Sequence, residues 1–532
     1  MSDRSTVVLV HAVMVVLAAA DAWFISRFGS GIPIQDEWDI LSGWLASDST
    51  WSWLFAHHNE HRYPLAKLLW LGELRLVGFA FKPLLFVPLA LMIGAALMIL
   101  RAARTIRGRQ LTSDAFLPAL LLHWGHWFNW LMSYQLGFAI VAWAAAGWLW
   151  TAAQWDATGA KRWAALSLGF AVAIVPCGGF GLLFTPCVVG WCGWLAWRST
   201  GGLRTGGVIA AIGVIAYTGF VAGTMPPPSA EATRVSPLAA PGEFGSAAGG
   251  FLSVAAGAWQ AKEPLAIRIA VAAAVVGVYG FAVWRMLRSR SRAAAVAGFA
   301  ILAGTILIAA ATAFARGTGL MDRMAVISAA GLCTAWIWAT TATGPPRVLV
   351  LAIAVALVAV NISEPMAYAR NLRHTAYRVE RDLREQRPPL LIAGQYGRSF
   401  PVAVGDSLAD TLRQLKAAGI VPYSNLPDDP PFRTQPITEL PAKLTPGETT
   451  LPLAPPAAFA LRLHVVSERV VHHDTVRLIG TGPDAEAWLA PPVARSSLVL
   501  PIADPAGALR LVIGPGIESL RIESAEFLLR PE

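Results

Sequence analysis

Long apolar runs recur along the first two thirds of this chain, and they restrict its fold more than any other feature. A bilayer core of about 30 Å is crossed by about 20 apolar residues in a helix. Only 14% of the residues are charged, whereas soluble domains carry about 25%. We therefore predict a mainly α membrane protein with about eleven transmembrane helices: 7–26, 83–100, 114–124 with its extension, 136–152, 163–176, 180–197, 207–224, 264–284, 293–314, 323–342 and 347–362.

Basic residues in the short loops predict the orientation. They cluster between apolar runs and not along one polar face, so the net charge of +9 indicates topology and argues against nucleic acid as a partner. We expect the N-terminus in the cytoplasm, and the loops 27–82, 225–263 and 315–322 on the other side. The predicted inner residues are Arg101, Arg104, Arg107, Arg109, Lys161, Arg162, Arg198, Arg204, Arg285, Arg288, Arg290, Arg292 and Arg347.

The composition changes after residue 362, which predicts further domains. Residues 1–362 form the predicted transmembrane domain with the outward loop 27–82. A helical and mixed connector is predicted over 363–432, and a β-rich periplasmic domain over 433–532. The part after the membrane is thus expected to be a soluble α/β region that ends in a small β-sandwich.

Shorter patterns predict elements within this C-terminal part. Helices are expected over Arg370–Arg387 and Ser407–Ala418, with a strand at Leu390–Ala393 between them. Alternating apolar and polar runs between Gly and Pro turns predict the sandwich strands: 460–466, 509–513, 519–522 and 525–529.

An acidic motif follows the first apolar run. Asp36, Glu37 and Asp39 place three carboxylates within four residues of the first outward loop. A carboxylate at a membrane surface is partly desolvated, which tends to raise its pKa and suits a general base for an acceptor hydroxyl. An acidic loop exposed to solvent is the alternative interpretation.

A second polar motif lies in the same loop. His57, His58, Glu60, His61 and Arg62 fall within six residues. We take His58, Glu60, His61 and Arg62 as candidate substrate-binding residues. A divalent metal ion is a candidate cofactor because imidazole and carboxylate groups bind such ions. Arg62 could instead hold an anionic group through two hydrogen bonds. A hydrogen-bonded cluster at the membrane surface is the alternative.

The stretch 123–135 combines aromatic rings with imidazole and amide groups. These groups suit a sugar pocket, and an aromatic belt at the membrane interface is the alternative. Asn129 and Gln135 are the candidate substrate-binding residues because uncharged amides at membrane depth need hydrogen-bond partners.

Two arginines flank a glycine-rich turn in the late outward loop. Arg316 and Arg323 enclose Gly317 and Gly319. The positive-inside rule predicts few cationic residues in an outward loop, so these two arginines need another explanation. Guanidinium groups beside such a turn favour phosphate or pyrophosphate. The alternative is a surface pair between Asp322 and Arg323.

Together these features resemble the GT-C superfamily of membrane glycosyltransferases, which includes protein O-mannosyltransferases and aminoarabinose transferases. The resemblance covers about residues 1–362 and rests on layout and short motifs. Asp36 and Glu37, with Asp39 nearby, match the acidic motif of the family, and Asp39 is a candidate substrate-binding residue. The run from His58 to Arg62 looks like a second polar patch in the same loop of relatives.

Arg316 and Arg323 look like the family's late outward-loop arginines that bind lipid-linked phosphate. Met324 departs from the pattern, because relatives often have Tyr there. The resemblance implies a polyprenyl-phosphate sugar donor and a periplasmic glycan or lipid acceptor at the bacterial inner membrane. Asp36, or next Glu37, would be the base, Arg316 and Arg62 would hold the phosphate, and transfer would invert the anomeric carbon.

Two other functions stay open. A lipid-linked sugar flippase or another transporter would need broken helices and polar groups deep in the spans, and Gly178, Gly179 and Gly181 near Pro176 and Pro186 could break a helix. A non-catalytic polysaccharide assembly protein would depend on its C-terminal domain and tolerate substitutions at Asp36 and Arg316.

Overall fold

The computed structural model describes most of the 532 residues. The described residues are 3–58, 62–224, 237–254, 265–316, 324–341, 347–396, 405–438, 440–441, 443–452, 454–470, 474–479, 485–489, 496–502, 509–514 and 517–530. They divide into two compact units. The first is the membrane unit, residues 1–29 and 54–372, and the second is the C-terminal unit, residues 30–53 and 373–532.

Helices dominate the chain up to residue 417. In chain order they are α1 (Asp3–Phe28), α2 (Asp36–Leu45), α3 (Thr50–Phe55), α4 (Pro64–Leu76), α5 (Phe81–Leu84), α6 (Phe86–Arg107), α7 (Phe116–Leu121), α8 (Trp127–Leu131), α9 (Leu136–Thr158), α10 (Lys161–Ile174), α11 (Gly179–Leu183), α12 (Thr185–Arg198), α13 (Gly202–Gly223), α14 (Pro241–Ser253), α15 (Leu265–Leu287), α16 (Arg292–Arg316), α17 (Ala325–Ala339), α18 (Arg347–Val360), α19 (Ser363–Arg384), α20 (Pro389–Tyr396) and α21 (Gly405–Ala417).

Seven helices among the described residues are long and apolar enough to cross a membrane. The predicted number of eleven spans is therefore not confirmed. The runs predicted at 114–124, 163–176, 180–197 and 323–342 contain helices of 6, 14, 14 and 15 residues. The seven apolar stretches are Arg4–Phe28, Phe81–Arg107, Ser133–Thr158, Gly202–Gly223, Ala270–Leu287, Arg292–Ala315 and Ala352–Arg384.

Two stretches of the membrane unit are broken into short pieces. Residues 112–135 form two short α-helices and three 3-10 turns. Between α10 and α12 the chain turns at Gly178, whose φ of 113° favours glycine. A Cβ at this position would lie 2.3 Å from the Tyr63 ring. Irregular backbone at membrane depth occurs where protein buries it or where it lines a water-filled cavity.

Several helix ends meet at one end of the membrane unit. The ends of α6, α9, α15 and α17 and the start of α16 are joined by side-chain hydrogen bonds: Gln154 to Thr105 at 3.0 Å, the amides of Ala293 and Ala294 to Asp156 at 3.0 and 2.9 Å, Arg285 to Thr341 at 3.0 Å and Arg107 to Thr340 at 2.9 Å. Arg107 also pairs with the buried Asp114 at 2.6 Å. Loops that carry the predicted inner arginines are thus brought together here.

The C-terminal unit ends in two antiparallel sheets. Their strands are β1 (Arg433–Pro436), β2 (Lys443–Leu444), β3 (Gly447–Thr450), β4 (Ala458–Val470), β5 (Asp474–Ile479), β6 (Ala485–Leu489), β7 (Ser496–Pro501), β8 (Arg510–Ile513) and β9 (Ile517–Leu529). One sheet has the order β1-β9-β4-β7, with β2 also paired to β9, and the other has the order β3-β8-β5-β6.

The sheets share one apolar core, with Leu461, Leu463 and Phe527 from the first sheet and Leu478 and Leu511 from the second. Alternate residues along each strand point inward, so a small sandwich results. The predicted sheet region is confirmed.

Two of the predicted local elements are wrong. Leu390–Ala393 lies in the helix α20, because its apolar residues pack against Phe459, Val499 and Leu528 on the outer face of the first sheet. The two strands predicted at 519–522 and 525–529 are one strand, β9, with bulges in its pairing to β4. The helices predicted near 370–387 and 407–418 are present as α19 and α21.

Candidate functional site

The acidic motif lies in the C-terminal unit. Residues 30–53, including Asp36, Glu37 and Asp39, group with residues 373–532. Asp36 is the first residue of α2, and its side chain and that of Asp39 are partly exposed. A carboxylate in the first turn of a helix is stabilised by the helix dipole and by free backbone amides.

A strained turn precedes Asp36. The amide of Glu37 donates to the carbonyl oxygen of Ile34 at 3.1 Å, which closes a four-residue turn. Gln35 is its second residue, with φ 49° and ψ −126°, values close to those of the Gly-favouring position of a type II′ turn. A non-glycine residue there costs about 1–3 kcal/mol and marks functional sites more often than others.

Glu37 is buried, unlike its two acidic neighbours. Its side chain is 1% exposed, and its Oε2 accepts the Ile34 amide at 2.8 Å. A carboxylate that accepts a backbone amide holds the loop in place. Within the acidic motif, Asp36 and Asp39 are therefore the carboxylates that solvent or substrate can reach.

The second polar motif forms a basic cluster in the membrane unit, which we define as His57, Arg62 and Lys67. Nε of Arg62 donates to Nε2 of His57 at 3.2 Å, and Arg62 also donates to the carbonyl oxygen of Phe55. Nζ of Lys67 donates to the carbonyl oxygen of Ala56 at 2.8 Å. Both cations therefore also cap the last carbonyl groups near α3.

Like charges act on one another within the basic cluster. Lys67 is 1% exposed, and burial together with the Arg62 charge lowers the pKa of Lys67 to about 8. Burial and the charges of Arg62 and Lys67 lower the pKa of His57. A bound anion would relieve this repulsion, because an opposite charge nearby favours the charged form of each base.

Aromatic rings contact Arg62 and the chain neighbours of the basic cluster. The guanidinium carbon of Arg62 lies 5.1 Å from the centre of the Phe220 ring. The Tyr134 ring lies edge-on to the rings of His58 and Tyr63, with ring centres 5.6 and 5.7 Å apart. Because Tyr63 also packs against Gly178, Tyr63 joins both broken stretches of the membrane unit, and it is adjacent to Arg62 in the chain.

Asn129 and Gln135 are buried in the stretch 112–135. Both polar atoms of Asn129 lack hydrogen-bond partners among the described residues, and so does Oε1 of Gln135. Nδ1 of His126 also has none in that part of the chain. Buried polar groups need partners, so these atoms are suited to bind water or the hydroxyl groups of a ligand.

The remaining predicted residues stay predictions. Glu60, His61 and Arg323 lie outside the described residues, and Arg316 ends α16 with only its backbone described. Among the residues that the structure describes, no three His, Cys, Asp or Glu side chains come together as a metal ion would need.

Sequence reasoning missed two buried charged residues. In the sequence, Lys67 is a single basic residue within an apolar run. Its position five residues after Arg62 is the signal that could have assigned it to the basic cluster. Asp21 stands alone in the apolar run of α1; it is 1% exposed, and neither carboxylate oxygen has a hydrogen-bond partner among the described residues. An ionisable residue inside a span is itself a signal of function.

Comparison with known proteins gives no family. No family model matches the chain, and no curated protein does. The function is therefore inferred from the acidic motif, the basic cluster and the buried amides of the stretch 112–135.

Proposed function

We propose that the protein is a membrane glycosyltransferase that uses a polyprenyl-phosphate sugar. The observation that carries this proposal is the basic cluster, in which Arg62 and the buried Lys67 repel each other's charge beside aromatic rings. A phosphate would relieve the repulsion, and rings beside it offer surfaces for a sugar or a lipid chain. The predicted arginines Arg316 and Arg323 would assist in holding the phosphate.

Asp36 would supply the base. Its carboxylate would take the proton of an acceptor hydroxyl while the hydroxyl oxygen attacks the anomeric carbon. The bond from that carbon to the phosphate oxygen breaks, and the phosphate leaves with the bonding electron pair. The cations that hold the phosphate would stabilise its charge. One displacement of this kind inverts the anomeric carbon.

The proposed acceptor is a glycan or a lipid at the outer face of a bacterial inner membrane. The acceptor class is the one that the resemblance to GT-C enzymes implies. The orientation is supported by the basic loops gathered at one end of the membrane unit, which the positive-inside rule would place in the cytoplasm. The C-terminal unit would then be periplasmic. Membrane lipids would surround the seven apolar helices.

The test is transfer of labelled sugar from polyprenyl-phosphate donors to a membrane extract. Full-length wild type is compared with Asp36→Asn and with the matched control Asp48→Asn, an exposed carboxylate of the same segment. We expect transfer to fall at least about 100-fold in Asp36→Asn, because general-base catalysis contributes 10²–10⁴-fold, and to stay normal in the control. Equal transfer by both variants would remove Asp36 from the mechanism.

A lipid-linked sugar transporter is the second candidate, and the broken helix at Gly178 favours it. Discontinuous helices often form substrate sites in transporters. A wild-type protein that moves a fluorescent polyprenyl-phosphate sugar across liposome membranes, yet transfers no sugar, would replace the first proposal with this one. The non-catalytic alternative would fit a protein that does neither.

A further inference from the structure

The loop before Asp36 is tied at two points. Oε1 of Glu380, on α19, accepts the amide of Gly31 at 2.9 Å. Glu37 accepts the amide of Ile34, as described above. The loop of five residues before Asp36 is thus fixed near its start and near its end by carboxylates.

Tyr423 supports the same segment from a different element. It follows α21, its side chain is 1% exposed, and its ring lies edge-on to Trp38 at 6.2 Å. The charges of Glu37 and Glu380 both act on its hydroxyl group. That hydroxyl therefore lies near the two carboxylates that fix the loop, although it has no hydrogen-bond partner among the described residues.

Packing extends these contacts along the segment. The helix α2 packs against α21, and Nε1 of Trp53 donates to the carbonyl oxygen of Ile40 at 3.1 Å. The strained turn at Gln35 persists because these contacts outweigh its cost. The segment that carries Asp36 is therefore held in part by Glu380 and Tyr423, which follow it in the chain by more than 300 positions.

We infer that Glu380 and Tyr423 are positioning residues for Asp36. This inference rests on the proposed transferase function. A base must lie within hydrogen-bond reach of the proton it removes, and a displacement of about 1 Å can cost about 100-fold in rate. Residues that fix the loop should thus act on kcat and leave donor affinity unchanged.

The test compares three variants of the full chain in lipid nanodiscs. Glu380→Ala removes the acceptor for the Gly31 amide, whereas Glu380→Gln keeps an acceptor oxygen. Arg373→Gln is the control for loss of the ion pair, because it removes the 2.8 Å bond from Arg373 to the same Oε1 and leaves that oxygen able to accept the Gly31 amide. We expect kcat to fall at least about tenfold in Glu380→Ala, with KM for the donor within about twofold of wild type.

The conservative variant distinguishes positioning from folding. We expect Glu380→Gln to regain most of the lost kcat and Arg373→Gln to resemble wild type. Amide hydrogen exchange at Gly31 and Ile34 should quicken in Glu380→Ala alone. Unchanged kcat in Glu380→Ala, or equal losses of kcat in all three variants, would overturn the inference. The proposed function would still stand in that case if Asp36→Asn abolishes sugar transfer.

Tyr423 supplies the second comparison if Glu380→Ala does not fold. Tyr423→Phe keeps the ring against Trp38, whereas Tyr423→Leu removes it. We expect kcat to fall at least about tenfold in Tyr423→Leu relative to Tyr423→Phe, and equal rates would overturn the positioning role. A wild type that transfers no sugar under any condition refutes the proposed function and this role with it.

Discussion

Replacing Gln35 with glycine should separate the stability of the acidic loop from its activity. Gln35 has φ 49° and ψ −126°, which costs about 1–3 kcal/mol for a residue with a Cβ. Glycine removes this cost, but it loses about 0.5–1 kcal/mol more backbone entropy on folding. The net expectation is a gain of about 1 kcal/mol in the free energy of unfolding.

The gain translates into a measurable shift in melting temperature. For a unit of this size, 1 kcal/mol corresponds to about 2–4 °C. We expect Gln35→Gly to melt about 3 °C higher when tryptophan fluorescence of the full chain is followed. We also expect its sugar transfer to fall several-fold, because a freer turn holds Asp36 less firmly.

Gln386→Gly is the matched control. Gln386 also has a positive φ, 53°, in the same unit, but it lies beyond the end of α19 and takes no part in the contacts described for the acidic loop. We expect a similar rise in melting temperature with unchanged transfer. A lower melting temperature for Gln35→Gly would refute the argument from strain, and equal transfer by both variants would refute its link to activity.

Three further predictions concern the membrane unit. Because the pKa of Lys67 is lowered from 10.5 to about 8, the unfolded chain binds more protons between these values, so wild-type stability should rise with pH there; melting curves of Lys67→Met should show a smaller rise. Asn129→Leu removes a buried amide without described partners, so we expect a free energy of unfolding within about 1 kcal/mol of wild type. We also expect sugar transfer to be at least about tenfold slower, and unchanged transfer would argue against sugar binding by Asn129. Gly178→Ala places a Cβ 2.3 Å from the Tyr63 ring and should cost more than about 2 kcal/mol, whereas Gly169→Ala, with open space around it, should not; equal melting temperatures would contradict the packing.

Apolar runs predicted where the long helices lie, because length and hydropathy are local properties. The apolar runs did not predict the helix lengths where single residues interrupt a run. The stretch from 114 begins as a 3-10 turn and contains Pro118, and the run from 163 stops at Pro176 and Gly178. Helix breakers within an apolar run are tolerated when neighbouring protein satisfies the freed backbone groups, and composition does not reveal those neighbours.

The acidic motif was found from the sequence, whereas its support was not. Asp36 and Glu37 are adjacent in the chain, so their pattern is visible directly. The bond from Gly31 to Glu380 joins residues 349 positions apart, and no local period encodes it. Lys67 was missed for a similar reason, because its burial depends on how α4 packs and not on its neighbours in the chain.

The long separation between Gly31 and Glu380 has a consequence for biogenesis. At 5–20 residues per second, about 17–70 s pass between the synthesis of these two residues. Residues 30–53 would spend that interval without the surface on which they fold, and we expect them to be cleaved readily by proteases then. Pulse-chase proteolysis should find this segment protected only in chains extended beyond residue 423, and early protection would show that it folds without its partner. Nonsense mutations that end the chain before residue 380 would accordingly unfold a segment that was synthesised more than 300 residues earlier.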